Sequence, residues 1–96
     1  MVLDLSKVTG IGEYTKKQEK DRTIYNKDDK AFLVENKNTI EIRTDDKLAK
    51  LLEEKYESVM ESRYFGRGGI EIVLAGQLEE SEIDDLIRLS YNLTNN

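Results

Sequence analysis

Between Arg22 and Arg43 the chain passes through three short runs of β-favouring residues, and the turns between them are too short for anything but antiparallel neighbours. The runs are Arg22-Thr23-Ile24-Tyr25, Ala31-Phe32-Leu33-Val34-Glu35 and Thr39-Ile40-Glu41-Ile42-Arg43, the last in strict alternation. Asn26-Lys27-Asp28-Asp29 and Asn36-Lys37-Asn38 separate them, rich in residue types that bond their own backbone and tolerate left-handed φ. A parallel connection would need about a dozen residues or more. This stretch is therefore predicted to be an antiparallel meander.

Two amphipathic helices follow from spacing. Thr44-Asp45-Asp46 offers a cap and early negative charge, after which Leu48, Leu51, Leu52 and Tyr56 form an apolar stripe with Lys47, Lys50, Glu53, Glu54 and Glu57 outside it. In residues 79–85 the acids Glu79, Glu80, Glu82, Asp84 and Asp85 suit the positive end of a second helix dipole, and Ile83, Leu86, Ile87, Ser90 and Tyr91 recur at helical spacing. Between the helices, residues 59–65 and 70–75 flank Gly66-Arg67-Gly68-Gly69 and read as a hairpin, with Ile70, Ile72 and Leu74 on one face and Glu71 on the other. The start of the chain supports two readings. Leu3, Leu5, Val8 and Ile11 suit either a helix or a strand closing the sheet edge, and residues 13–18 form a candidate strand beside residues 22–25. Strands in runs rather than in alternation with helices give the α+β class: two layers, a largely antiparallel sheet of five to six strands, helices on one face. A length of 96 residues makes one domain, 1–96, and no linker divides it.

Composition narrows the chemistry. The chain has no cysteine, so disulfide and thiolate chemistry are excluded, and a reducing cytoplasm is the expected setting. It has no histidine, hence no side chain that titrates near neutrality unperturbed and no triad built on imidazole. Acid–base work would fall to buried carboxylates, lysine or tyrosine, and the expectation is that the protein is not an enzyme. The first residues lack a basic segment followed by an apolar one, and the longest apolar run, Ile72-Val73-Leu74-Ala75, is far short of the roughly 20 residues that cross a bilayer, so neither a secretory signal nor membrane insertion is expected. The net charge of −5 is uneven: residues 1–44 carry nine Lys/Arg and eight Asp/Glu, residues 45–96 six and twelve. An acidic chain is a poor general ligand for phosphate backbones.

Three clusters are candidates for contact. Arg63, Tyr64, Phe65 and Arg67 interleave cations with aromatics around the glycines, an arrangement that can hold phosphates while bases stack. The competing account is a hairpin whose glycines permit positive φ. Lys16, Lys17, Lys20 and Arg22 form a basic cluster interrupted by Glu13, Glu19 and Asp21, and a solvated, ion-paired surface explains it as well. Tyr91, on the stripe of the last helix, either closes the core edge or lines a groove with its hydroxyl. The acids at residues 79–85 lack EF-hand spacing, and neither a metal nor a cofactor is expected.

Val73-Leu74-Ala75-Gly76-Gln77-Leu78, followed by Glu82-Ile83-Asp84-Asp85-Leu86-Ile87 and Ser90-Tyr91-Asn92-Leu93, resembles the ending of the YjbR/MmcQ family: a strand, a Gly turn, an acidic helix start and a helix carrying Ser-Tyr. Lys30-Ala31-Phe32-Leu33 resembles a central strand of that family, and Ile40-Glu41-Ile42-Arg43-Thr44-Asp45-Asp46 its approach to the middle helix. The likeness spans residues 22–93, with the TfoX N-terminal domain as a structural cousin. It implies a secretion-chaperone-like order, α-β(3)-α-β(2)-α, and carries a DNA-binding label that rests on fold. Members of the family usually have a Trp where this chain has Gly68-Gly69-Ile70. The leading expectation is a non-catalytic module that binds a protein or itself through a sheet edge or the helix-free face. Nucleic-acid binding through the two basic clusters is the alternative, and a small ligand held between helices and sheet is a third reading.

Overall fold

The computed structural model describes residues 5–94. Six strands, Thr15–Glu19 (β1), Arg22–Lys27 (β2), Lys30–Glu35 (β3), Thr39–Arg43 (β4), Val59–Ser62 (β5) and Gly66–Val73 (β6), form one sheet in the order β1-β2-β3-β4-β6-β5, antiparallel throughout. The helices Asp46–Lys55 (α1) and Glu80–Leu93 (α2) pack on one face, α1 over β5 and β6, α2 over β3 and β4. The α+β reading and the antiparallel meander stand, and the candidate strand at residues 13–18 forms as β1, with Lys17 opposite Ile24. Asp28 (φ 49°) and Asp29 (φ 67°) make the two-residue turn between β2 and β3, where positive φ matches the twist of the paired strands. No helix among the described residues is long and apolar enough to cross a membrane.

Alternation sends Ile40, Ile42, Ile70 and Ile72 toward the helices, where they meet Ile83 and Ile87 of α2, all fully buried. A bulge in β3 enlarges this core. Tyr25 pairs with Leu33 and Asn26 with Ala31, so Phe32 is an extra residue, and both Phe32 and Leu33 join the cluster beneath the helices. The Asp45 carboxylate caps α1 by accepting the Leu48 N–H at 2.7 Å, as the sequence predicts. The buried stripe differs by one residue. Leu51 is 63% exposed and Ala49 is buried, because a small side chain at Ala49 lets α1 lie close to β6 while Leu52 and Tyr56 flank the contact half-buried.

β3 and β4 pair only as far as Leu33 and Ile42. Beyond that point the strands part, and α2 closes the gap. The buried Ser90 hydroxyl donates to the Phe32 carbonyl and accepts the Arg43 N–H at 2.7 Å, while the Arg43 guanidinium Nε donates to the Ala31 carbonyl at 2.7 Å. The Arg43 N–H and the Ala31 and Phe32 carbonyls thus have side-chain partners where the strands part.

The described part of the N-terminal segment holds a short 3₁₀ turn, Leu5–Lys7, where the family resemblance implies a leading helix. Leu3 lies outside the described residues. Leu5 and Val8 are buried, with Ile11 and Tyr14 against the same core. Arg88 donates to the Thr9 carbonyl and hydroxyl, and Tyr91 Oη donates to the Glu13 carbonyl at 2.8 Å, so the segment that turns at Thr9-Gly10 and continues through Glu13 is strapped to α2.

Candidate functional site

The tripeptide Ile-Glu-Ile occurs twice, at residues 40–42 and 70–72, and the sheet sets the two copies side by side in opposite directions. Ile40 pairs with Ile72, Ile42 with Ile70, and Glu41 lies opposite Glu71. With the isoleucines committed to the helices, both carboxylates stand on the helix-free face, yet they are only 2% and 3% exposed. Like charges directly opposite each other are unfavourable, so something must compensate.

The compensation comes from residues 63–65, the turn between β5 and β6, which folds over this face. Arg63 clasps Glu71 through two bonds, Nε to Oε1 at 3.0 Å and Nη2 to Oε2 at 2.8 Å, and the Thr39 hydroxyl adds a third at 2.6 Å. Glu41 Oε1 accepts the Ser62 hydroxyl and the Tyr64 N–H, each at 2.9 Å, and Oε2 accepts Asn36 Nδ2 at 2.9 Å. Burial alone would push the Glu41 carboxyl upward. The bonds from Asn36, Tyr64 and Ser62 and the charge of Arg63 outweigh it and hold Glu41 below the ordinary carboxylate value. Glu71 in turn raises the Arg63 guanidinium above its usual value. Among the described residues, every buried side-chain nitrogen and oxygen has a partner.

A carboxyl lowered in the folded state contributes stability above its unfolded value, and that contribution is lost as pH falls through the folded value. Stability should therefore decline in acid as Glu41 takes up a proton, and the turn over it should loosen. A carbon-detected NMR titration of the Glu41 carboxyl, run beside denaturant unfolding at each pH, is expected to give a midpoint below 4.5. A midpoint above that value would contradict the account.

The outer layer is aromatic and cationic. Phe65 covers a second small core of Ile24, Ala31 and Val34, and the Arg43 guanidinium lies 4.9 Å from its ring centroid. The Tyr64 and Phe65 rings meet edge to face at 5.0 Å, and the Arg22 guanidinium sits 5.1 Å from the Tyr64 ring. Arg22 is fixed by Glu19, whose Oε1 accepts Nε at 3.0 Å and Nη2 at 2.9 Å. Tyr64 is 40% exposed and the Arg63 side chain 75%. Arg22, Asn36, Glu41, Arg63 and Tyr64 line a depression of about 350 Å³.

Against the sequence-based candidates, Arg22, Arg63, Tyr64 and Phe65 come together and the rest do not. Arg67 lies with Glu61 beside Asp46, Lys50 and Glu53 of α1. Lys16, opposite Tyr25 and 5.8 Å from its ring, belongs to the other face. Lys17 shares the helix-free face with Glu19, 3.8 Å away, and Lys20 is in the exposed turn between β1 and β2. Tyr91 closes the core edge: its ring is buried and perpendicular to Phe32 at 5.0 Å, the Lys27 ammonium lies 4.0 Å from it, and its hydroxyl is taken by Glu13. The Gly-rich stretch is not the hairpin turn. Residues 63–65 turn, because Ser62 Oγ accepts the Phe65 N–H at 2.8 Å and Glu41 accepts that of Tyr64, and the glycines belong to β6. Gly66 does take a left-handed φ of 73°. Glu41, Glu71, Asn36 and Arg43 are the site residues that the sequence reading missed, although the repeated Ile-Glu-Ile was visible. Among the described residues, no group of three or more acidic side chains is placed to hold a metal ion.

No protein-family model matches this chain, and no curated protein matches it. A crystal structure of a protein from Pseudomonas syringae is similar in fold, with a TM-score of 0.72 over 84% of this chain and 86% of that one, at 18% sequence identity. At that identity the likeness establishes the fold alone.

Proposed function

We propose that this chain is a non-catalytic interaction module of the cytoplasm that binds a protein partner through the helix-free face of its sheet, with Tyr64 at the centre of the contact. The observation that carries the reading is an exposed tyrosine set between two arginines, each held in place by its own glutamate, above a floor whose polar atoms are already satisfied. Tyrosine and arginine dominate the energetics of protein interfaces, and a side chain fixed beforehand loses little freedom on binding. Nucleic-acid binding finds less support. Arg67 and Lys16 point to other parts of the surface, Lys17, Arg22 and Arg63 stand beside carboxylates, and Lys20 lies in the turn between β1 and β2. We also propose kinship with the YjbR/MmcQ family. What supports it is that Ser90 and Tyr91, which carry the resemblance, both tie α2 to distant backbone, as a signature rooted in fold would.

The test is quantitative capture from a lysate of the native organism with the wild-type chain, Tyr64→Ala and Lys17→Ala as baits. The expected result is a partner recovered equally by wild type and Lys17→Ala, and bound about 30-fold more weakly by Tyr64→Ala, as loss of a hot spot worth about 2 kcal/mol would give. The melting temperatures of the three should agree. Equal recovery by all three baits, or recovery by none together with a strictly monomeric chain in light scattering, would overturn the reading.

A further inference from the structure

We infer that the depression between Arg22, Tyr64 and Arg63 seats a carboxylate side chain from an acidic segment of the partner. The inference rests on the reading of this face as the contact surface and specifies what it recognises.

At the Arg63 end of the depression exposure sorts the charges by sign, whereas Arg22 and its partner Glu19 are exposed nearly alike, 39% and 34%. Glu41 and Glu71 are sealed beneath the turn, whereas the side chain of Arg63 is 75% exposed against 4% for that of Glu71. A group approaching that end therefore meets the Arg63 guanidinium first. Each guanidinium is oriented in advance, since Arg63 grips Glu71 and Arg22 grips Glu19 through Nε and Nη2. Neither clasp uses Nη1, which leaves one donor group on each arginine for a further acceptor. Glu41, at the floor, does not solicit a cation, because Oε1 and Oε2 already accept three bonds between them. The Tyr64 ring beside the depression offers an apolar surface to the stem of a glutamate or aspartate. One planar anion fits two preset guanidiniums.

The same features discriminate against nucleic acid. A phosphate backbone draws its affinity from a series of neutralised phosphates, and here two arginines converge while Arg67 and Lys16 lie off this face.

The experiment titrates the isotope-labelled full chain with a peptide of alternating glutamate and serine, a control peptide of alternating glutamine and serine, and a single-stranded oligothymidine, following backbone amides by NMR at low and moderate salt. Expected are shifts centred on Arg22, Arg63 and Tyr64 with the glutamate peptide only, weaker at higher salt. Arg22→Gln should reduce the affinity roughly tenfold, the loss of one charge-assisted bond. Arg67→Gln should bind as wild type, and unchanged spectral dispersion establishes that each variant is folded. The inference is overturned by silence at millimolar glutamate peptide, by equal shifts with the glutamine peptide, by shifts centred on Lys16 and Lys17, or by tighter binding of oligothymidine. If the glutamate peptide fails while Tyr64→Ala still loses the captured partner, the inference falls and the contact surface stands. If both fail, both fall.

Discussion

Ser90→Ala is expected to lower the free energy of unfolding by about 2–4 kcal/mol, a large share of what a domain of this size possesses. The hydroxyl is buried and does two jobs at the point where β3 and β4 separate, donating to the Phe32 carbonyl and accepting the Arg43 N–H. Alanine leaves both groups without a partner where water has little access, at about 1–3 kcal/mol each. In a chain of this length the melting temperature should fall on the order of 15 °C. Ser81→Ala, at an exposed position in the first turn of α2, should move it by less than about 0.5 kcal/mol. Denaturant midpoints with a constant slope would establish the difference, and a Ser90→Ala midpoint equal to wild type would refute the role assigned to the hydroxyl.

Gly69→Ala should cost about 2–3 kcal/mol for a different reason. A Cβ at this position would lie 2.6 Å from Phe65 Cβ and 2.7 Å from the Ile42 carbonyl oxygen. No rotamer relieves such contacts, so either the turn lifts or β6 shifts. Lifting the turn withdraws Phe65 from Ile24, Ala31 and Val34 and carries Tyr64 away from Arg22. The two responses separate in a double-mutant cycle. With Phe65→Ala the ring no longer pins the turn, and Gly69→Ala should cost about 1 kcal/mol less in that background. Strict additivity would locate the strain at the Ile42 carbonyl instead. Gly68→Ala, where an added Cβ would meet only the Thr44 carbonyl at 3.6 Å, is the control.

These two positions also mark where sequence reading succeeds and where it stops. Alternation in residues 39–43 and helical spacing in residues 83–91 predict which side chains face the core, because both periods are properties of the backbone. The same alternation places Glu41 and Glu71 on the outer face, and outer ordinarily means water. Their burial depends on a turn some twenty residues from Glu41 in sequence, which no local period encodes. The glycines mislead for a related reason. Gly69 serves the close approach of Phe65, a tertiary contact, and reads in sequence like a residue chosen for turning. Leu51 and Ala49 show the limit on a helix: both lie near the apolar stripe, and only the distance of α1 from the sheet decides that the smaller one is inside. Of the candidate site, the arginine and the two aromatics of residues 63–65 were legible as types. Arg22 joins them only because β2 lies under the turn, and Arg67 leaves them because the chain enters β6 between the two.

The strand order has a consequence for how the molecule comes into being. β4, at the middle of the sheet, pairs on one side with β3, a few residues before it, and on the other with β6, which leaves the ribosome only after α1 and β5. The meander of residues 15–43 can form from local contacts while Glu41 is still hydrated and Ile24 and Val34 are still bare. The face proposed to meet a partner is completed last, when Arg63, Phe65 and Glu71 arrive together. During synthesis it is a wet acidic edge beside an apolar strip, and chaperones that screen nascent chains would encounter it in that form rather than as the finished arginine-rich surface.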